Sequence, residues 1–197
     1  MVIAAADPAA GKNRFLSQFE ERENFNQYWY SKYTIDKIVE EVEAVAGSVA
    51  FLSTPSIYYS LKSKDLKRSS CVFDLDEDFS KTLHDDNFCV YDLNKPVDMA
   101  ERHKHRYDCV VVDPPFITKE CWAKYAETVR HVLQPGGKII LSTIQESAIW
   151  LKEMLDVAPT PFRPSIPHLV YQYAMYTNYT PAAGLAEKNP EVPDDDD

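Results

Sequence analysis

Glycine is scarce in this sequence, with five residues in 197. None of them forms the G-x-G-x-x-G turn that lets backbone amides approach a bound nucleotide after a first strand. Cysteine is equally sparse: Cys71, Cys89, Cys109 and Cys121 occur without a C-x-x-C pair. That argues against a disulfide framework, and the first three sit in short apolar runs as small buried hydrophobes of a reducing compartment. No metal site is expected, because His103 and His105 lie beside Lys104 and Arg106 and read as a solvated basic turn. No stretch approaches the roughly 18 apolar residues of a membrane helix, so no membrane association is expected. The opening Met1 to Ala6 has no basic segment and is stopped by Asp7-Pro8, which argues against a secretory signal. Basic charge is also in deficit, 21 Lys and Arg against 31 Asp and Glu, for a net charge of −10. Such a chain repels a phosphate backbone and is not expected to bind nucleic acid in general. Only Lys62, Lys64, Lys67, Arg68 and the Arg102 to Arg106 cluster argue the other way.

What is present points to one doubly wound α/β domain. Residues 1–14 are small and polar and read as a flexible arm, and 15–180 as the folded domain. Residues 181–197 carry six acids against Lys188 and are expected to be a disordered acidic tail. Ile35, Ile38, Val39, Val42 and Ala46 recur at helical spacing from Ser31, with Gly47 as the residue past the helix end. Five short apolar runs follow: 49–52, 71–73, 88–91, 109–112 and 139–141. None alternates cleanly, as expected of parallel strands covered on both faces. Helical patterns separate several of them, over 56–66, from Thr118 through Val132, and over 144–155. Alternation over 168–178 predicts an antiparallel strand closing the sheet edge.

In an open parallel sheet, ligands bind at the carboxyl ends of the strands. The second, third and fourth runs each end in an acid there, Asp74, Asp92 and Asp113. Asp113 opens Asp113-Pro114-Pro115-Phe116, the most specific motif in the chain. Two successive prolines fix φ and remove two amide donors, leaving rigid carbonyls beside a carboxylate and an aromatic ring. That set suits an amine: the oxygens accept its N–H groups and the ring accommodates positive charge.

The motif after the fourth strand resembles that of class I S-adenosylmethionine-dependent methyltransferases acting on amino groups, as does Leu133-Gln134-Pro135-Gly136-Gly137-Lys138. Further matches are Gln27 to Ser31, Ser53-Thr54-Pro55-Ser56, Val90 to Asn94 and Val111 to Phe116. Together they resemble the eukaryotic lysine methyltransferases of translation elongation factor 1-alpha, once described as adenine methyltransferases. The resemblance spans roughly residues 15–180. It implies a Rossmann-like fold, S-adenosylmethionine as cofactor without a metal, and a cytoplasmic enzyme whose substrate is that elongation factor; nothing in the sequence demands more than a monomer. It implies that Asp74, with Asp76 as substitute, holds the ribose and that Asp92 faces the adenine. Ser53, Thr54, Pro55 and Ser56 would form the cofactor turn, with the amides of Ser56 and Ile57 free. Trp29 would cover the cofactor, and Tyr30 and Phe116 would meet the incoming lysine. Asp113, Pro114, Pro115 and Phe116 would be the catalytic set. Trp29 and Tyr30 have an alternative role, as a hydrophobic staple for the helix at Ser31. Two other functions stay open: methylation of adenine in DNA or RNA, and a scaffold that has lost the cofactor.

Overall fold

The computed structural model describes residues 12–193. The first element, α1 (Arg14–Gln18), is capped by Asn13, whose side chain accepts from Leu16 N. Next comes α2 (Lys32–Val45), capped by Ser31 accepting from Thr34 N. Then follow β1 (Val49–Leu52), α3 (Pro55–Ser60), α4 (Lys64–Ser69), β2 (Cys71–Asp74), β3 (Phe88–Val90) and β4 (Tyr107–Val112). The chain continues with α5 (Lys119–Val132), β5 (Leu133–Ile144), α6 (Ala148–Leu155), β6 (Ala158–Pro159) and β7 (Tyr173–Thr177). The seven strands form one sheet in the order β3-β2-β1-β4-β5-β7-β6. Strands β1 to β5 are parallel, and β7 runs antiparallel to both β5 and β6. The architecture is therefore the expected doubly wound sheet with an antiparallel edge.

Both faces of the sheet are covered, which is why its strands do not alternate apolar with polar. Val49 and Phe51 of β1, with Cys109 and Val111 of β4, pack with α2 and α3. Ala50, Leu52, Val110 and Val112 point to the other face, against Trp122, Tyr125 and Val129 of α5 and Leu151 of α6. The helix expected from Thr118 is α5, and Thr118 caps it, accepting from Cys121 N at 3.3 Å. Among the described residues, no helix is long and apolar enough to cross a membrane.

Several local expectations change. The helix expected over 56–66 breaks into α3 and α4, because the Glu43 carboxylate of α2 accepts the amides of Lys62 and Ser63 at 2.6 and 2.8 Å. Helix α6 starts later than expected, at Ala148, after a short 3-10 turn at Gln145–Ser147. Gly47 follows α2 without a left-handed φ; the Asp108 carboxylate takes the amides of Gly47 and Ser48 instead. The alternation from His168 yields a strand only at Tyr173–Thr177, and the preceding residues loop out with Val170 and Tyr171 exposed.

The expected disordered tail is in large part docked. Leu185 is fully buried, and Glu41 of α2 accepts from Ala183 N, Leu185 N and Tyr179 OH at 3.1, 3.3 and 3.0 Å. Asn189 donates to Arg163 O at 2.8 Å, and Ser31 Oγ donates to the Glu191 carboxylate. A short polar segment held by one leucine and one buried carboxylate has no compositional signature, so its order comes from partners remote in sequence. Most of the arm at 1–14 and the last four aspartates lie outside the described residues.

Candidate active site

The carboxyl ends of β1, β2 and β4 open into a cleft of about 340 Å³. Ser53, Asp74, Leu75, Tyr91, Leu93, Asp113, Pro114, Pro115, Phe116 and Tyr125 line it from the sheet side. Residues 23–29 cross over it, and Ile166, Leu169 and Tyr173 close the far wall. The crossing segment is pinned at both ends of the cleft. Asn26, left-handed at φ 53°, donates to Pro115 O, while Gln27 Nε2 donates to Asp76 Oδ2 at 2.9 Å.

The turn after β1 works without glycine. Ser53 itself takes the left-handed conformation, at φ 55°. Its amide donates to Phe73 O at 2.9 Å and its hydroxyl pairs with Tyr125 OH at 2.7 Å. Those two bonds offset the steric cost a non-glycine residue carries there. Thr54, Pro55 and Ser56, expected in the cofactor turn, are buried beneath it and do not line the cleft. Thr54 sits at the cap position of α3, yet its hydroxyl donates to Val111 O instead of capping. Ile57 N, expected to be free, donates to Thr54 O at 3.2 Å.

Of the three strand-end acids, two face the cleft. Asp74 is 8% exposed and accepts from Asp76 N at 2.9 Å. Burial pushes its carboxyl up to about 7, aided by the charge of Asp76 and opposed by that hydrogen bond. Asp76 is committed elsewhere, to Arg22 at 2.8 Å and to Gln27, so it is no substitute for Asp74. Asp92 turns away: its Oδ1 accepts from Asn94 N and Nδ2, and its neighbours Tyr91 and Leu93 form the wall.

Asp113 lies half-buried at the end of β4, its amide donating to Leu52 O at 3.2 Å. Burial pushes its carboxyl up to about 7, while hydrogen bonds from Tyr30 and Ser142 pull the other way. Phe116 is 53% exposed at the cleft mouth. Trp29 lines the cleft, held by its Nε1 donating to Phe19 O at 3.2 Å and edge-on to Phe15. Tyr30, expected to meet the substrate, is instead buried at 4% exposure, with its hydroxyl 2.6 Å from Ser142 Oγ. Sequence reasoning missed Ser142, Tyr125, Asn26 and Tyr173. Only Ser142 had a signal, as the polar residue ending the apolar run at 139–141.

Both basic clusters lie away from this cleft. Lys67 and Arg68 precede β2 and Arg102 to Arg106 precede β4, at the amino ends of strands whose carboxyl ends carry the cleft. Arg68 pairs with Asp65, and Lys104 with Glu101 at 3.3 Å.

A family described as "Probable N6-adenine methyltransferase" matches residues 21–181. "EEF1A lysine methyltransferase 1" of Homo sapiens is 33% identical over 182 residues, 88% of this chain and 82% of that protein. The chain belongs to the EEF1A lysine methyltransferase family. A second member, a "Protein-lysine N-methyltransferase" of Dictyostelium discoideum, is 33% identical over 85% of this chain and 84% of its own length. Among solved structures, the branched-chain polyamine synthase of Thermus thermophilus shares the fold, with a TM-score of 0.60 at 13% identity. That match covers 86% of this chain and 62% of the synthase chain. The family's fold thus places Asp113-Pro114-Pro115-Phe116, Ser53 and Asp74 around one cleft.

The cleft's chemistry fits S-adenosylmethionine. Asp74 offers a carboxylate, and Gln27 Oε1 is a buried carbonyl oxygen without a partner. Gln27 is held in that sense because its amide nitrogen faces the Asp76 carboxylate, which accepts only. Two acceptors in one cleft call for hydroxyl donors such as a ribose diol. Tyr91, Leu93 and Trp29 supply flat apolar surface for a base. Among the described residues, no group of His, Cys, Asp and Glu is placed to hold a metal ion.

Proposed function

We propose that this chain is an S-adenosylmethionine-dependent protein-lysine N-methyltransferase whose substrate is translation elongation factor 1-alpha, acting as a cytoplasmic monomer. The observation that carries the reading is Asp113: a raised carboxylate beside rigid proline carbonyls, opening through Phe116 onto a surface whose basic clusters lie elsewhere. The cofactor supplies an electrophilic sulfonium methyl group. Asp74, Gln27, Ser53 and Trp29 would hold it, with Tyr91 and Leu93 against its base.

A lysine must lose a proton before it attacks, and burial of the side chain lowers its pKa. An ordinary carboxylate lies about 6 pK units below a lysine ammonium. Burial of Asp113 removes about half of that gap. Asp113 thus orients the amine and stands as its nearest proton acceptor, with the Pro114 carbonyl as second acceptor and the Phe116 ring against the aliphatic stem. With cofactor and lysine bound, the crossing segment 23–29 would help to exclude water, so orientation supplies most of the acceleration. An acidic surface suits a basic protein partner.

The test is methyl transfer from labelled S-adenosylmethionine to purified elongation factor 1-alpha and, separately, to oligonucleotides, with Asp113→Ala as control. Label on the protein that disappears in Asp113→Ala is expected. Label on the oligonucleotide would replace this reading by the adenine reaction that the shared motif also permits. Failure to bind the cofactor at all would make the chain a scaffold.

A further inference from the structure

Behind Asp113 lies a chain of two hydroxyls that the transfer reaction does not by itself require. Ser142 Oγ donates to Asp113 Oδ1 at 2.9 Å, and Tyr30 OH lies 2.6 Å from Ser142 Oγ. An ionised Asp113 only accepts, so the single Ser142 proton is spent on it, and the Tyr30 proton is left for Ser142 Oγ or for the carboxylate itself. Either way, both hydroxyl protons are directed toward Asp113. Both hydroxyls are almost fully enclosed, at 4% exposure for Tyr30 and 1% for Ser142.

The register explains the serine. Val112 pairs with Leu141, so Ser142 is the residue of β5 beside Asp113. It follows Ile139, Ile140 and Leu141, all buried, and it shares a sheet face with Ile140 and Tyr30. An apolar residue there would pack as well and would spare a buried hydroxyl its desolvation. Tyr30 arrives from the crossing segment, immediately before the Ser31 cap of α2, whose amide donates to Ser165 O at 2.8 Å. Among the described residues, the groups facing Asp113 are the hydroxyls of Tyr30, Ser142 and Tyr173, from the crossing segment, β5 and β7, and none of them is basic.

We propose that Tyr30 and Ser142 are positioning residues: their hydroxyl chain holds Oδ1 of Asp113 and turns Oδ2 to the acceptor amine. The proposal rests on the reading of Asp113 as the group that receives the amine. The chain also favours the ionised carboxylate, since both hydroxyls stabilise its charge against the burial that raises it. Because Tyr30 continues the segment whose Trp29 lines the cleft, the same stretch of chain serves both halves of the reaction.

The experiment compares Tyr30→Phe, Ser142→Ala, Asp113→Ala and the double variant Tyr30→Phe/Asp113→Ala in the full chain. It reads kcat and KM for the protein acceptor across pH, with S-adenosylhomocysteine affinity and thermal midpoint as controls. Tyr30→Phe and Ser142→Ala are expected to lower kcat roughly 10- to 100-fold, the worth of a hydrogen bond to a charged group, with S-adenosylhomocysteine affinity unchanged. The acid limb of the kcat profile should move up by about one pH unit, because the lost bonds had favoured the ionised form. In the Asp113→Ala background, Tyr30→Phe should cost almost nothing further, as expected of a residue acting through Asp113. An unmoved limb, or the same loss from Tyr30→Phe with and without Asp113, would overturn the proposal in favour of a packing role. An inactive Asp113→Ala beside a fully active Tyr30→Phe would overturn the hydroxyl chain alone. Near-normal turnover in Asp113→Ala would overturn both it and the reading of Asp113.

Discussion

Asp74 gives the sharpest test of how the site is built, because its charge is bought at the expense of stability. Its carboxyl is raised from 3.8 to about 7, chiefly by burial. A carboxylate raised on folding binds more protons in the native state than in the unfolded one. Its penalty is absent below about pH 4, grows through the window up to about 7, and is complete above it. Three pK units correspond to about 4 kcal/mol at 1.36 kcal/mol each; halving that for water entering the open cleft leaves about 2 kcal/mol. Asp74→Asn removes the charge and keeps an oxygen to accept from Asp76 N. In the cofactor-free protein, the variant should therefore melt above the wild type near pH 8 by roughly 4–8 °C, the shift that about 2 kcal/mol produces at this size. Below about pH 4, where the unfolded carboxyl is protonated as well, the two curves should nearly coincide. Thermal melts at the two pH values read this directly, and titration with S-adenosylhomocysteine should show affinity lost in the same variant. Equal midpoints at both pH values would refute the reasoning, since the carboxylate would then carry no burial penalty.

Two further substitutions test the frame around the cleft. Gly184→Ala would drive a Cβ into the backbone carbonyl of Lys37. It should lower stability by at least about 2 kcal/mol, read as a fall in thermal midpoint with earlier proteolysis after residue 180; an unchanged midpoint would mean that the 183–191 segment contributes nothing to the fold. Asn26→Gly keeps the left-handed backbone and removes the bond to Pro115 O. It should weaken S-adenosylhomocysteine binding several-fold, the worth of about 1 kcal/mol, while leaving the thermal midpoint nearly in place; unchanged affinity would show that the crossing segment is not latched there.

The strand content, the parallel sheet and the Asp113 motif were legible from residue types alone. Buried parallel strands must be apolar on both faces, and a proline pair after a strand has few other uses. The same local logic placed helix starts at Ser31 and Thr118, where each side chain and the amide it caps lie three residues apart. It failed wherever the partner was remote. Helix 56–66 was divided by Glu43 and the tail was ordered by Glu41, whereas Asp92 was drawn from the cleft by a local partner, Asn94. Thr54 to Ser56 carried the pattern of a cofactor turn, yet only Ser53 lines the wall, because a left-handed residue there swings the next three beneath the sheet edge.

By itself, the sequence determined the class of the fold, the end of the sheet that carries the chemistry, and the acid at its centre. Each follows from period, spacing and local backbone geometry, which neighbouring residues settle among themselves. Only the tertiary structure decided what surrounds that acid: Tyr30 112 residues before Ser142, and Asn26 89 residues before the Pro115 carbonyl it caps. Those contacts are set by which strands become neighbours and by the path of one segment across their ends. Burial then raises Asp74 and Asp113 to about 7, a property that neither residue has until the chain closes around it.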